Sequence, residues 1–519
     1  MQSGKNIVML AAENDSLING KVGGLADVIR DLPNALADFG LSITIITPSY
    51  GFLHKDNPSK FLTKISFPFN GKNEEGEIWE VTAKQPGKNV KHLVLEHKNI
   101  RGNPIYSQDP PGQPYAQDAT KFAIFCSAVG KYLQGYDPLT IIHLHDWHVG
   151  TLFLLKELHP EFQHLKKFKH VFTIHNLSYQ GTRPMFGKYA SVEQWFPELF
   201  HYSSWIEIWK DHRYKIPQFT PLIAAIKFSD KINTVSPSYS KEILEKSDHE
   251  NCFYGGEGLE IYLQEAEKGN RLFGILNGIE YPERTLINRS TFQELCISIV
   301  QETKQLDDKN TKELFAMVTS RLESYKTAKP NFILTSVTRV TEQKVRLLFE
   351  EGSNSKTAIE TINNILKQYN GFYILSGNGA QEYEDKCIKA FYQYERLIYL
   401  KLYSAKIAQL LYSSGDIFLM PSSFEPCGIS QMIAMREGQP CIVHAVGGLK
   451  DTVIDGVNGF QFKGASIKEK VDNMVYALKK AINIFLNDKK LWEKIKSDAL
   501  KARFEWKESA KKYIELLYE

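Results

Sequence analysis

Short apolar runs, each followed by a polar glycine-bearing loop and then by apolar positions at helical spacing, recur along this chain of 519 residues. The first run, Asn6 to Ala12, reads as a strand; Leu25 to Phe39 follows with helical periodicity and Gly40 as its stop. Ser42 to Pro48 is the next strand and completes a β-α-β unit. The alternation continues through Ile141–His145, His170–His175, Lys231–Ser236 and Phe273–Asn277. It pauses after Asn277-Gly278 in a Lys/Glu-rich stretch to about Lys329 that reads as helical. It restarts with strands at Phe332–Val337, Gly371–Leu375, Asp416–Met420 and Pro440–His444. Two such series predict an α/β fold of two Rossmann-like, doubly wound domains facing each other across a cleft. The boundaries are residues 1–277 and 278–488, with the hinge at Asn277-Gly278. Residues 489–519 read as an amphipathic helix that crosses back onto the first domain.

Size agrees, since a chain this long exceeds a single core. The 63 basic and 60 acidic residues leave a formal charge of +3, which gives no polycationic case for nucleic acid as a partner. Six scattered cysteines without a CxxC pair suit reduced thiols better than a disulfide framework. No apolar stretch approaches the roughly 18 residues of a membrane helix. Strand-like sequence begins close to Met1, leaving no room for a targeting peptide, so a cytoplasmic location is expected.

Candidate chemistry gathers at strand ends. Pro421-Ser422-Ser423-Phe424-Glu425-Pro426-Cys427-Gly428 follows an apolar run and precedes a helix start at Met432–Arg436. This places the Glu425 carboxylate at the C-terminal edge of a parallel sheet, where open α/β sheets bind ligands. Arg339 and Lys344 follow another strand and can converge on a diphosphate, or can be an ordinary solvated loop. Ser376-Gly377-Asn378-Gly379 is a short turn that can admit phosphate or sugar. Two glycine pairs, Gly23-Gly24 and Gly447-Gly448, each open a helix after a strand, where backbone N–H groups and the helix dipole favour anions. His143-Leu144-His145-Asp146-Trp147-His148 lacks the convergent third and fourth ligands of a zinc site, and no metal is expected.

The Lys21-Val22-Gly23-Gly24-Leu25 and Pro-Ser-Ser-Phe-Glu-Pro-Cys-Gly segments together resemble the paired signatures of the bacterial glycogen synthase and plant starch synthase family. The resemblance runs from Ile7 to about Tyr513, with the motifs in the family's order. It implies a GT-B type, retaining glycosyltransferase that moves glucose from ADP-glucose to the non-reducing end of an α-1,4-glucan, without cofactor. It implies a catalytic group of His175, Glu425, Arg339 and Lys344, with His175 beside the anomeric carbon of the donor. Donor contacts are expected from Lys21, Gly23, Gly24, Arg339, Lys344, Gly377, Tyr403, Glu425, Cys427, Gly428, Gly447 and Gly448, with Tyr403 against the adenine ring. The acceptor side is expected at Asp27, Asp146, Trp147, His148, Asn176 and Tyr179. The chain departs from the family pattern at Ser423 (usually Arg), His444 (usually Arg), Val446 (usually Thr) and Val345 (usually Gly). The alternatives are a same-fold transferase using UDP-glucose or another acceptor, and a glucan-binding protein without turnover.

Overall fold

The computed structural model describes residues 5–201, 204–281, 290–304, 312–325, 329–402 and 404–519. Tyr403, expected at the adenine ring, lies outside them.

The first domain is built on β1 (Asn6–Leu10), β2 (Ser42–Pro48), β3 (Ser59–Phe69), β4 (Lys72–Val81), β5 (Val90–Glu96), β6 (Ile141–His145), β7 (Lys169–Ile174), β10 (Lys231–Thr234) and β11 (Leu272–Gly274). A separate two-stranded ribbon joins β8 (Arg183–Pro184) to β9 (Gln218–Phe219). The nine strands lie in the order β11-β10-β7-β6-β1-β2-β5-β4-β3, parallel from β11 to β5 and antiparallel across β4 and β3. The parallel strands are largely buried, covered by helices such as Gly24–Ala37 and Ala116–Tyr132. β3 and β4 extend the sheet beyond the expected alternation.

The second domain is a six-stranded, all-parallel sheet of β12 (Phe332–Val337), β13 (Gly371–Ser376), β14 (Leu397–Leu400), β15 (Ile417–Met420), β16 (Cys441–His444) and β17 (Gly459–Phe462). Its order is β14-β13-β12-β15-β16-β17. The Lys/Glu-rich stretch before it contains the helices Phe292–Lys304 and Lys312–Tyr325. Strand order reverses between β6 and β1 in the first sheet and between β12 and β15 in the second. Each reversal opens a crevice at the strands' C-terminal ends.

The domains are joined twice. Ile279 donates its N–H to Phe504 O at 2.7 Å and the two segments pair as a parallel bridge, so outgoing and returning chains run side by side. The expected single returning helix is two. Lys489–Lys501 buries Trp492, Ile495 and Ala499 in the core of the second domain. Only Trp506–Tyr513 and the turn Ile514–Tyr518 enter the core of the first, through Trp506, Ala510, Tyr513, Leu517 and Tyr518. The amphipathic pattern is continuous from Lys489, but the extended Ala502–Glu505 link lets its two halves face different cores. In the other direction, Cys252 of the first half is fully buried among second-domain side chains. Among the described residues, no helix is long and apolar enough to cross a membrane.

Candidate active site

The second-domain wall stands at the reversal between β12 and β15. The loops after β12 and β13 are zipped together, Val340 donating to Asn378 O at 2.9 Å. At Gly377 a side chain would lie 1.7 Å from Thr338 O, so the close approach requires glycine. This leaves Arg339 exposed and puts Lys344 on the helix Glu342–Phe349. The loop after β15 is tied to that helix: Ser423 N–H donates to Gln343 O at 2.7 Å and Gln343 Nε2 to Phe424 O at 3.1 Å. The Lys344 ammonium therefore meets the Glu425 carboxylate directly, and Ser422 Oγ donates to the same oxygen at 3.1 Å. Both charged groups are largely buried, with side chains 11% and 6% exposed. The Glu425 carbonyl accepts the Gly448 N–H at 3.1 Å, and Gly447, at φ +43°, passes close enough that a side chain would stand 1.9 Å from that carbonyl.

Cys427 and Gly428 complete this loop. The Cys427 side chain is buried with Val235, Ile279 and Met432 between the domains, and burial pushes its thiol up to about 12. Gly428 lies at φ +79° over Gln431, whose Nε2 donates to Gly428 O at 3.0 Å.

The first-domain wall stands at the reversal between β1 and β6. Lys21, partly exposed, is paired with Asp27 at 2.5 Å, and Arg30 also reaches Asp27 at 3.0 Å. Glu13, buried at the end of β1, accepts the N–H of Val22 at 2.7 Å and of Gly23 at 2.5 Å, and the Tyr106 hydroxyl at 2.6 Å. The first glycine hook is thus closed by the protein's own carboxylate at Gly23, while Gly24 faces open space. The second hook is closed too: Gly447 N–H donates to Glu242 of the first domain at 2.8 Å. Expected anion sites at Gly23, Gly447 and Gly448 therefore hold intramolecular acceptors. Glu13 and Glu242 were not foreseen. Glu13 was findable, because it follows an apolar strand in the same way as Glu425.

Asp146 adopts φ 59° and ψ 178°, a conformation rarely held by a residue other than glycine. Its carboxyl accepts the His175 N–H at 2.7 Å, and burial pushes it up to about 7 against that bond and one from the Asn176 N–H. His175, at the end of β7, is half-buried and bonded through Nε2 to His145 Nδ1 at 3.0 Å. Burial drives both rings toward the neutral form, His175 down to about 3. Trp147 and His148 are buried side by side, wedged against Tyr115, Tyr106 and Phe122. They pack into the wall, 3% and 6% exposed. Asn176 caps its own turn, accepting the Ser178 N–H at 2.9 Å, and Tyr179 is 55% exposed.

The two walls meet along one side. Ser236 Oγ donates to Pro426 O at 2.6 Å, and Ser238 gives both its N–H and its hydroxyl to Asp451, at 2.8 and 2.7 Å. His444 stacks on Phe462 with centroids 5.1 Å apart and bonds Ser422 O at 2.9 Å through Nδ1, a role compatible with neutral imidazole. Ser423 is fully buried, its hydroxyl beside the Cys252 thiol that reaches in from the first half of the chain. Val345 is core and Val446 precedes the helix Gly447–Thr452 without a side-chain cap.

Residues 6–265 match the model of the starch synthase catalytic domain, and residues 304–502 that of glycosyl transferases group 1. The chain is 31% identical to a glycogen synthase of Gloeobacter violaceus over 528 aligned positions, covering 98% of each. It is 29% identical to a glycogen synthase of Francisella tularensis, covering 96% of this chain and 95% of that one. The catalytic domain of starch synthase IV from Arabidopsis thaliana, solved with ADP and acarbose, superposes with a TM-score of 0.75 at 26% identity over 99% of both chains. Sucrose-phosphate synthase from Thermosynechococcus elongatus shares the fold, with a TM-score of 0.54 at 16% identity. With both domain models in sequence order and glycogen synthases matched end to end, the chain belongs to the glycogen and starch synthase family and is a glycosyltransferase of glucan synthesis.

Proposed function

We propose that this enzyme transfers glucose from ADP-glucose to the non-reducing end of an α-1,4-glucan with retention of configuration, in a reducing cytoplasm. The observation that carries the reading is the pairing of walls: Arg339, Lys344 and Glu425 at one strand-order reversal, His175, Asp146 and Lys21 at the other. The starch synthase IV structure, which holds ADP and acarbose, supports a nucleotide donor and a saccharide acceptor in this fold. All six cysteines are buried and unpaired, which suits a reducing compartment.

As the glycosidic C–O bond to the diphosphate breaks, negative charge grows on the leaving oxygen. Arg339 is exposed for a forked contact there, and Lys344 can turn from Glu425 toward the phosphates. The Glu425 carboxylate then accepts hydroxyl hydrogens of the donor glucose. Tied to Lys344 and Ser422, it is held as an acceptor rather than aimed as a nucleophile. Asp146 fixes the backbone of His175 beside the reacting carbon, and the neutral ring adds no positive charge where the sugar becomes cationic. The acceptor hydroxyl enters on the face the leaving group vacates, giving its proton to the departing phosphate oxygen. The cations supply the charge that a metal would otherwise bring, and among the described residues no three His, Cys, Asp or Glu are grouped to hold one.

The test is a synthase assay on glycogen with ADP-glucose and UDP-glucose in parallel, with and without a chelator. Turnover with ADP-glucose, unaffected by chelation, is expected. Preference for UDP-glucose overturns the donor, and glycogen binding without turnover of either overturns the activity.

A further inference from the structure

His175 is backed by a buried polar chain that reaches the returning segment. The ring of its partner His145 lies against His143, with centroids 4.2 Å and planes 31° apart. His143 is fully buried and bonded at both nitrogens, Nδ1 to the Tyr518 hydroxyl and Nε2 to Thr173 Oγ1, each at 2.7 Å. Thr173 donates to Asn233 Oδ1 at 2.6 Å, and Asn233 Nδ2 donates to the Tyr513 hydroxyl at 3.1 Å. The Tyr513 hydroxyl also bonds Thr173.

Counting protons fixes the arrangement. Thr173 has one hydroxyl hydrogen and gives it to Asn233, so toward His143 it can only accept. His143 therefore carries its ring proton on Nε2, and its Nδ1 lone pair accepts from Tyr518. Neutral imidazole satisfies every member of the network. His145 Nε2 is buried without a partner among the described residues. A bare lone pair costs less than a bare N–H, which puts the His145 proton on Nδ1, donated to His175 Nε2. The His175 proton then sits on Nδ1.

We propose that Tyr518, Tyr513 and His143 are positioning residues for the transfer: the segment returning from the second domain locks the His143 plane, and through it the orientation and tautomer of the His145–His175 pair. The proposal rests on the reading of His175 as the cleft histidine. All three side chains are buried behind the cleft wall. The satisfied set of His143, Thr173, Asn233, Tyr513 and Tyr518 behind His145 selects one geometry, because rotating any of them leaves a further polar atom unpaired.

The test uses the full-length enzyme carrying Tyr518→Phe or Tyr513→Phe, with His175→Asn alongside. Each Tyr→Phe change deletes one hydroxyl and keeps the ring that fills the core. In both, kcat should fall on the order of tenfold, the cost of a small misplacement at a reacting centre, with KM for ADP-glucose and glycogen within about twofold. In protein labelled at histidine nitrogens, the His175 signal should show protonation at Nδ1 in the parent and a mixture of tautomers in the variants. Unchanged kcat and an unchanged His175 signal in both overturn the proposal, whether or not melting temperature falls. Loss of turnover in His175→Asn with silent tyrosine variants overturns the positioning alone. Full turnover in His175→Asn overturns the reading of the site and the proposal with it.

Discussion

Lys344 and Glu425 are bonded to each other across 81 residues of sequence, ammonium to carboxylate, at the point where the second sheet reverses its strand order. Each is the group that neutralises the other in a nearly closed environment. This separates two cations that look equivalent in sequence. Lys344 has a structural partner, whereas Arg339 is exposed, with no paired side chain among the described residues.

Arg339→Ala and Lys344→Ala should therefore differ. Both are expected to reduce turnover severely, since each removes a cation from the leaving group. Only Lys344→Ala strands a buried carboxylate, at a cost of about 3–5 kcal/mol of stability. Thermal melts alongside initial rates test this. Equal melting temperatures for the two variants would show that the ion pair does not hold the loop.

Glu425→Gln keeps the shape and one acceptor oxygen but loses the charge. Turnover should drop at least as far as in Arg339→Ala, while stability falls by about 1–3 kcal/mol from the weakened bond to Lys344. Parental rates in a folded Glu425→Gln protein would remove the carboxylate from the reaction.

Gly447→Ala should act on the same group from behind. The added side chain would overlap the Glu425 carbonyl at 1.9 Å, besides the strain of φ +43°. Gly456, at φ +72° with nothing within 4 Å, supplies the control. Gly456→Ala should show only the conformational strain, about 1–2 kcal/mol, with parental kcat. Gly447→Ala should lose turnover as well. Matching kinetics in the two would place the glycine hook away from the site.

Acid should destabilise the protein before it denatures a typical domain. Burial pushes His143, His170 and His175 down to about 3 and His92 and His444 to about 4, against 6.5 in the open chain. The unfolded state then binds more protons, so this stability is complete above pH 6.5 and is lost as pH falls toward those values. Asp146 and Glu242, raised to about 7, have the opposite sign: their contribution is present at low pH and fades as pH rises through 7. The histidines outnumber them, so the melting temperature should fall from pH 6.5 to 4, and more steeply in Asp146→Asn. A flat profile over that range would contradict the buried neutral state of these rings.

Much of this was legible because parallel strands covered on both faces write themselves as apolar runs; β1, β2, β12 and β15 stand out for that reason. β3 hid because its first eight residues, Ser59 to Ser66, are exposed or nearly so, and it pairs antiparallel at the sheet's edge. β17 hid because its Gly459-Phe460-Gln461-Phe462 run is broken by a glycine and a glutamine, whereas β14, Leu397–Leu400, is as apolar as β15 and was overlooked. In the site, strand-end positions were readable, but partners were not. Nothing local in Lys344 announces Glu425, and nothing near Gly447 announces Glu242, which arrives from the other domain. In the HDWH segment the burial of Trp147 and His148 was likewise not readable, because their packing partners Tyr106, Tyr115 and Phe122 come from elsewhere in the chain.

The returning segment has a consequence for synthesis on the ribosome. Tyr513, Leu517 and Tyr518 fill the core of the first domain, and Lys5 Nζ bonds Tyr518 O at 3.1 Å, yet they are translated after the entire second domain. At roughly 5–20 residues per second, a first domain able to fold early must wait on the order of tens of seconds with that part of its core open. The core of the second domain is encoded wholly before Trp506. The domain made first is thus finished last, and a message cut short before Trp506 would release a protein whose second domain is whole and whose first exposes an apolar groove to chaperones and proteases.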